Sequence, residues 1–153
     1  MRKPRLLLVD DEPAMRQLLT GFLSEDYDVV GTAQDGATMV TAALHLKPDV
    51  IVSDIEMPGI NGIQAARQLD GLLPNVRIVF LSSHGDGEHV AAAFAAGAAG
   101  YLVKGESPDL LFKLSRTIES LCNTSAPGGR LSGADRAPGA GFRKRPNTID
   151  LGR

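Results

Sequence analysis

Five short apolar runs recur at regular intervals along the chain: Leu6–Val9, Val29-Val30, Val50–Val52, Ile78–Leu81 and Tyr101–Val103. They are apolar at consecutive positions rather than at every second one, as strands buried on both faces require. Between them the period changes. Met15, Leu18, Leu19, Phe22 and Leu23 fall at i, i+3, i+4, i+7 and i+8, one face of a helix, and Pro13 suits its first turn. Met39, Val40, Ala43 and Leu44 repeat the pattern before Pro48 ends it. Asn61–Leu69 is a weaker third case, and the Ala-rich stretch Val90–Ala96 stops at Gly97. Ser107-Pro108 reads as an N-cap followed by proline at the first helical position, and Leu110, Leu111, Leu114, Ile118 and Leu121 supply the last apolar face. Strand and helix alternating five times predict an α/β fold, a doubly wound parallel (βα)5 sheet covered by helices on both sides.

The charge is divided unevenly. Residues 1–124 hold 10 Lys+Arg against 16 Asp+Glu, whereas residues 125–153 hold 6 against 2. The second stretch also carries 6 of the 17 glycines and 3 of the 9 prolines, with no helical or strand period. Too little apolar surface is available there to offset chain entropy, so residues 125–153 are expected to be a disordered Gly/Pro/Arg-rich tail behind a domain at 1–124. The cluster Arg143-Lys144-Arg145 offers only weak, salt-sensitive attraction to nucleic acid. No run approaches the ~20 apolar residues of a membrane span, and acidic residues follow the first apolar run too soon for a signal peptide. A single cysteine, Cys122, excludes an internal disulfide framework and fits a cytoplasmic location.

In an open parallel sheet the working site lies beyond the carboxyl ends of the strands. This chain places Asp10, Asp11 and Glu12 after the first run, Asp54 and Glu56 after the third, Ser82-Ser83 after the fourth and Lys104 after the fifth. Any one acid there is an ordinary loop residue or helix cap. Acids ending two strands, a hydroxyl ending a third and a lysine ending a fourth form a set. With the first and third strands adjacent, Asp10, Asp11 and Asp54 repel one another and call for a cation. An oxygen-only donor set favours Mg²⁺ or Mn²⁺. A carboxylate beside such an ion can act as nucleophile toward a phosphoryl group, with Lys104 neutralising developing charge.

The segments LLLVDDEP, VIVSDIEMPGINGI, IVFLSS and GYLVKG resemble the receiver domain of two-component response regulators, over about Arg5–Leu121. The resemblance implies the flavodoxin-like strand order 2-1-3-4-5. It makes Asp54 the phosphoacceptor, and assigns Mg²⁺ to Asp10, Asp11, Asp54 and the backbone carbonyl of Glu56. Ser82 becomes the switch hydroxyl, Tyr101 the aromatic coupled to it, and Lys104 the phosphate-facing lysine. Pro58, Gly59 and Gly62 shape the turn after Asp54. Gly105 stands where many receivers carry proline. The wording DIEMPG, Ser-Ser-His and GAAGYLVKG points to the LuxR/NarL-type branch.

The resemblance further implies a sensor histidine kinase as partner, possible homodimerisation, and transcriptional regulation reaching DNA only through an output domain. GGRLS at Gly128–Ser132 resembles the opening of a LuxR-type DNA-binding domain, but the following GADRAPGAGF cannot continue an amphipathic helix. The expectation is a receiver derived from a longer regulator by truncation or frame change, with a stand-alone receiver as the alternative. The expected activity is phosphoacceptor signalling rather than turnover. A metal-dependent aspartate phosphatase is disfavoured because DDEP replaces DxDx[TV] after the first strand. A phosphorylation-independent binding module is disfavoured by the complete set Asp10, Asp11, Asp54, Ser82 and Lys104.

Overall fold

The computed structural model describes residues 2–105 and 108–123. Strand and helix alternate as β1 (Arg5–Val9), α1 (Pro13–Leu23), β2 (Asp28–Ala33), α2 (Gly36–Leu46), β3 (Val50–Ser53), α3 (Gly62–Asp70), β4 (Arg77–Ser82), α4 (Gly87–Ala95), β5 (Gly100–Val103) and α5 (Leu110–Asn123). All strand pairs are parallel and the order is β2-β1-β3-β4-β5, the expected doubly wound topology. The expectations for residues 125–153, and the cap assigned to Ser107, lie outside the described residues. None of the described helices is long and apolar enough to cross a membrane.

The continuous apolar runs are explained by position in the sheet. β1, β3 and β4 have strands on both sides and helices on both faces, and Leu6, Leu7, Leu8, Val50, Ile51, Val52 and Phe80 are fully buried. On one face Leu7, Val9, Ile51, Ile78 and Phe80 pack with Met39 and Ala43 of α2, Ile63, Ala66 and Leu69 of α3, and Ala93 of α4. The alternate residues point to the other face. There Phe22 of α1 meets Phe112 of α5 edge to face, with ring centroids 5.6 Å apart, and the Tyr27 hydroxyl donates to the Ser115 carbonyl at 3.1 Å. Burying a Leu, Val, Ile or Phe side chain contributes about 1.5–3 kcal/mol, so these two layers supply most of the driving force. The edge strand β5 is only half-buried, because it has a neighbour on one side only. β2, at the other edge, accommodates an extra residue where the register slips from Leu6↔Val29 to Leu7↔Gly31.

The helices depart from the spacing argument in three places. α4 starts at Gly87, ahead of the apolar stretch, because the Asp86 side chain caps it by accepting from His89 N. Pro108 lies ahead of α5 rather than at its first position: the Asp109 carbonyl accepts from Lys113 N and the helix starts at Leu110. Leu18 and Leu44, placed by period on apolar faces, are exposed, since the sheet covers only the central rows of α1 and α2. α3 is the best capped, with Asn61 and Gln64 exchanging side-chain and backbone hydrogen bonds in a capping box.

Gly62, the first residue of α3, decides how closely that helix approaches the sheet. A Cβ there sits 2.3 Å from the Asp54 carbonyl oxygen and 2.9 Å from Phe80. Gly71 at the far end has open space and a right-handed backbone. Gly62→Ala is therefore expected to lower stability by about 1–3 kcal/mol or more, and Gly71→Ala to leave it unchanged or raise it by up to about 1 kcal/mol. Urea unfolding of the two variants checks the contrast; equal effects refute the close-packing account.

Candidate functional site

The parallel register builds the site. Val9 of β1 lies opposite Ser53 of β3, so the next residues, Asp10 and Asp54, leave the sheet side by side at the carboxyl ends of its central strands. Backbone bonds fix both: Asp54 N donates to the Val9 carbonyl at 2.9 Å, and Asp10 N to the Ala33 carbonyl at 3.1 Å. Asp10 is 1% exposed and Asp54 8%. Asp11, next along the chain, is exposed. One carboxylate oxygen from each of Asp10, Asp11 and Asp54 lies within 4.8 Å of the other two.

Lys104 reaches this cluster from the end of β5, two strands away from β3, and its own backbone N donates to the Ser82 carbonyl at 2.7 Å. Its ammonium donates to Asp10 Oδ2 at 2.9 Å and to Asp54 Oδ2 at 3.2 Å. The remaining carboxylate oxygens take backbone donors: Asp10 Oδ1 accepts from Glu12 N at 3.0 Å, and Asp54 Oδ1 from Ile55 N at 2.7 Å. Asp10 is thus committed to the loop. It does not cap α1, whose N-cap is Glu12 without a side-chain bond.

One ammonium does not balance three carboxylates. At such separations two carboxylates repel by roughly 3 kcal/mol with an effective dielectric of ~20. Burial pushes the Asp54 carboxyl above its ordinary range, and the nearby Asp10 charge adds to this against the opposing pull of Lys104. Lys104 moves up as well: burial alone lowers it, but the Asp10 hydrogen bond and the two carboxylate charges outweigh that. The electrostatics therefore favour added positive charge among Asp10, Asp11 and Asp54. Oxygen donors without sulfur or imidazole suit a hard divalent cation such as Mg²⁺.

The hydroxyls stand beside the acids. Ser82 ends β4 fully buried, and its Oγ accepts from His84 N at 3.1 Å. The Tyr101 hydroxyl donates to the carbonyl of that same His84. After Asp54 the chain turns through exposed Pro58 and through Gly59 at φ +76°, and Gly62 N closes the turn on the Ile55 carbonyl at 2.8 Å. Gly105, at φ +77°, adopts a backbone that proline cannot. Glu56 behaves differently from the other acids. Its side chain turns away from the aspartates toward His84 Nε2, 2.7 Å away.

Against known proteins, the response regulator receiver domain model matches residues 6–116. This chain belongs to the response regulator receiver family. Transcriptional regulatory protein LnrK of Bacillus subtilis is 33% identical over 76% of this chain and 54% of its own length. Chemotaxis protein CheY of Thermotoga maritima is 36% identical over 79% of this chain and 97% of its own. Among solved structures, the signal receiver domain of the response regulator NarL from Mycobacterium tuberculosis superposes with a TM-score of 0.71 at 30% identity, covering 78% of this chain and 98% of that one. The chain spans about half the length of the first curated relatives it matches. Response regulators of the NarL and LuxR type stand among the similar solved structures, in line with the sequence wording.

Sequence reasoning missed two features of this receiver. Arg16, one turn into α1, donates to the Asp10 carbonyl at 2.7 Å and braces the loop bearing Asp10 and Asp11. His84 and His89 stack with centroids 4.4 Å apart, a contact between the loop after β4 and the first turn of α4 that no spacing announces.

The raised Asp54 value fixes a sign. Between the ordinary carboxylate range and its folded value, the folded receiver holds a proton that the unfolded chain has lost, so in chelator stability falls as pH rises through that interval. Asp54→Asn removes this cost and is expected to melt higher than the parent at pH 7 in chelator, with the gap shrinking toward pH 4. Thermal melts at both pH values check this; a variant less stable at pH 7 contradicts it.

Proposed function

We propose that this receiver accepts a phosphoryl group on Asp54 from the phosphohistidine of a sensor histidine kinase and converts it into a changed surface for dimerisation or partner binding. The observation carrying this reading is the Lys104 ammonium held at 2.9 and 3.2 Å from two buried carboxylates of adjacent strands. Asp54 is the nucleophile: a carboxylate oxygen attacks phosphorus, the phosphorus–nitrogen bond breaks, and the imidazole leaves with its electron pair and takes up a proton. Asp10, Asp11, Asp54 and the Glu56 backbone carbonyl would hold Mg²⁺ or Mn²⁺. When bound, the ion supplies charge neutralisation and orientation of the phosphoryl oxygens. Lys104 offsets charge on one phosphoryl oxygen. Ser82 Oγ accepts from His84 N and keeps its own proton to donate to another.

The same hydrogen bonds form the switch. Drawing Ser82 Oγ toward a phosphoryl oxygen pulls on His84 N, and the His84 carbonyl holds the Tyr101 hydroxyl. One residue thereby links the phosphorylated end of the sheet to the half-buried Tyr101 of edge strand β5. A transcriptional output follows from similarity to regulators such as LnrK, whose length is about twice the matched region. Contact with DNA through an output domain, and a cytoplasmic setting, belong to that reading. The match across 97% of CheY supports a second one, action through protein contact alone. In both, the domain promotes its own phosphorylation and dephosphorylation without turning over a metabolite.

Incubation with acetyl phosphate and Mg²⁺ is expected to add one phosphoryl group by intact mass, absent in chelator and in Asp54→Asn. Labelling of Asp54→Asn moves the acceptor elsewhere. Mg²⁺ at ten times its dissociation constant is expected to stabilise the fold by about 1.4 kcal/mol, a melting shift of a few degrees that Asp11→Asn removes. A shift unchanged in Asp11→Asn refutes the ligand set.

A further inference from the structure

Beside the aspartate cluster lies a second group of metal-ligating side chains that the phosphoacceptor reading leaves unused. One ligand atom each of Glu56, His84 and His89 lies within 4.8 Å of the other two. Glu56 Oε2 is 2.7 Å from His84 Nε2 and 4.0 Å from His89 Nε2. All three side chains retain access to solvent, with exposures of 60%, 39% and 35%. The two imidazoles stack almost parallel, 8° apart, both facing one carboxylate.

We propose that Glu56, His84 and His89 form a second divalent-cation site, selective for an imidazole-preferring ion of the Zn²⁺ type. The donor chemistry separates it from the aspartate cluster. Two imidazoles and one carboxylate suit Zn²⁺, whereas three carboxylates suit Mg²⁺. Metal–ligand bonds of about 2.0–2.2 Å in tetrahedral arrangement set ligand atoms roughly 3.3 Å apart. The observed 2.7 and 4.0 Å straddle that spacing, so each contact changes by less than about 1 Å. The stacked rings lean together at their Nε2 edges to aim at one ion, a small rotation for side chains with access to solvent.

The surroundings favour ligation further. Asp86 accepts from His89 Nδ1 at 2.8 Å, the carboxylate–imidazole pairing that orients a metal-bound histidine and leaves Nε2 as the ligand. His84 is anchored through its backbone, by Ser82 Oγ on its N–H and Tyr101 on its carbonyl, so its ring is independent of the switch bonds. Glu56 comes from the β3–α3 loop, while His84 and His89 come from the β4–α4 loop and the first turn of α4. An ion there staples together the two loops that flank Asp54 and Ser82. It restrains the His84 segment through which the switch runs. The existence of this site does not depend on Asp54 accepting phosphate.

Zn²⁺ binding is measured calorimetrically on the full chain without a histidine tag, in excess Mg²⁺ so that oxygen-only sites are filled. The expected result is one Zn²⁺ per chain. His84→Gln and His89→Gln each weaken binding at least 10-fold, Asp86→Asn weakens it about 10-fold, and His45→Gln on α2 changes nothing. Hydrogen exchange of the amides at 84–87 slows with Zn²⁺ in the parent and not in folded His89→Gln. Absence of stoichiometric binding, binding that survives both His84→Gln and His89→Gln, or binding lost only in Asp11→Asn overturns the proposal.

Discussion

The Lys104 ammonium, bonded to Asp10 and Asp54 across the ends of three strands, is the interaction on which the rest of the site depends. Two carboxylates buried side by side are tolerable only with a cation between them. Lys104 supplies part of that charge and leaves the site still negative once Asp11 is counted. This residual imbalance favours a hard cation at the carboxyl ends of β1 and β3, which is where the proposed phosphoryl transfer to Asp54 needs one. The arrangement exists only in the folded chain, since β1, β3 and β5 each contribute one partner.

Backbone packing makes that charge cluster rigid. Asp54 is held by the Val9 carbonyl on one side and by its own bond to Ile55 N on the other. α3 rests directly against its carbonyl because Gly62 has no side chain. Arg16 braces the Asp10 carbonyl from α1. The proposed switch runs beside this cluster, from the Ser82 hydroxyl to His84 N and from the His84 carbonyl to the Tyr101 hydroxyl. In the proposed reading, this path carries a local change at the Asp54 carboxylate to edge strand β5.

The legible part of this molecule was what a continuous sheet imposes on sequence. Apolar runs at consecutive positions marked β1, β3 and β4 because those strands are covered on every side. The rule that chemistry gathers at the carboxyl ends of parallel strands then brought Asp10, Asp54, Ser82 and Lys104 together. Features that depend on side-chain reach or on two loops meeting were not legible. Nothing in the spacing reveals that Lys104 spans to both aspartates, or that Glu56 turns from them toward His84. The early start of α4 escaped because its cap, Asp86, precedes the apolar period that announces a helix. The resemblance makes Gly62 a turn former, whereas its tighter constraint is contact with the Asp54 carbonyl.

In the proposed function, Asp54, Asp11 and Lys104 form one site for a divalent cation and a phosphoryl group. A crystal structure with Mg²⁺ and trifluoroberyllate, a stable phosphoryl mimic, tests it most directly. Beryllium is expected on an Asp54 carboxylate oxygen, with Mg²⁺ ligated by Asp11 and Asp54 and the Lys104 ammonium moved from Asp10 onto a fluoride. Beryllium on another side chain, or Lys104 still bridging Asp10 and Asp54 beside an empty carboxylate, contradicts it.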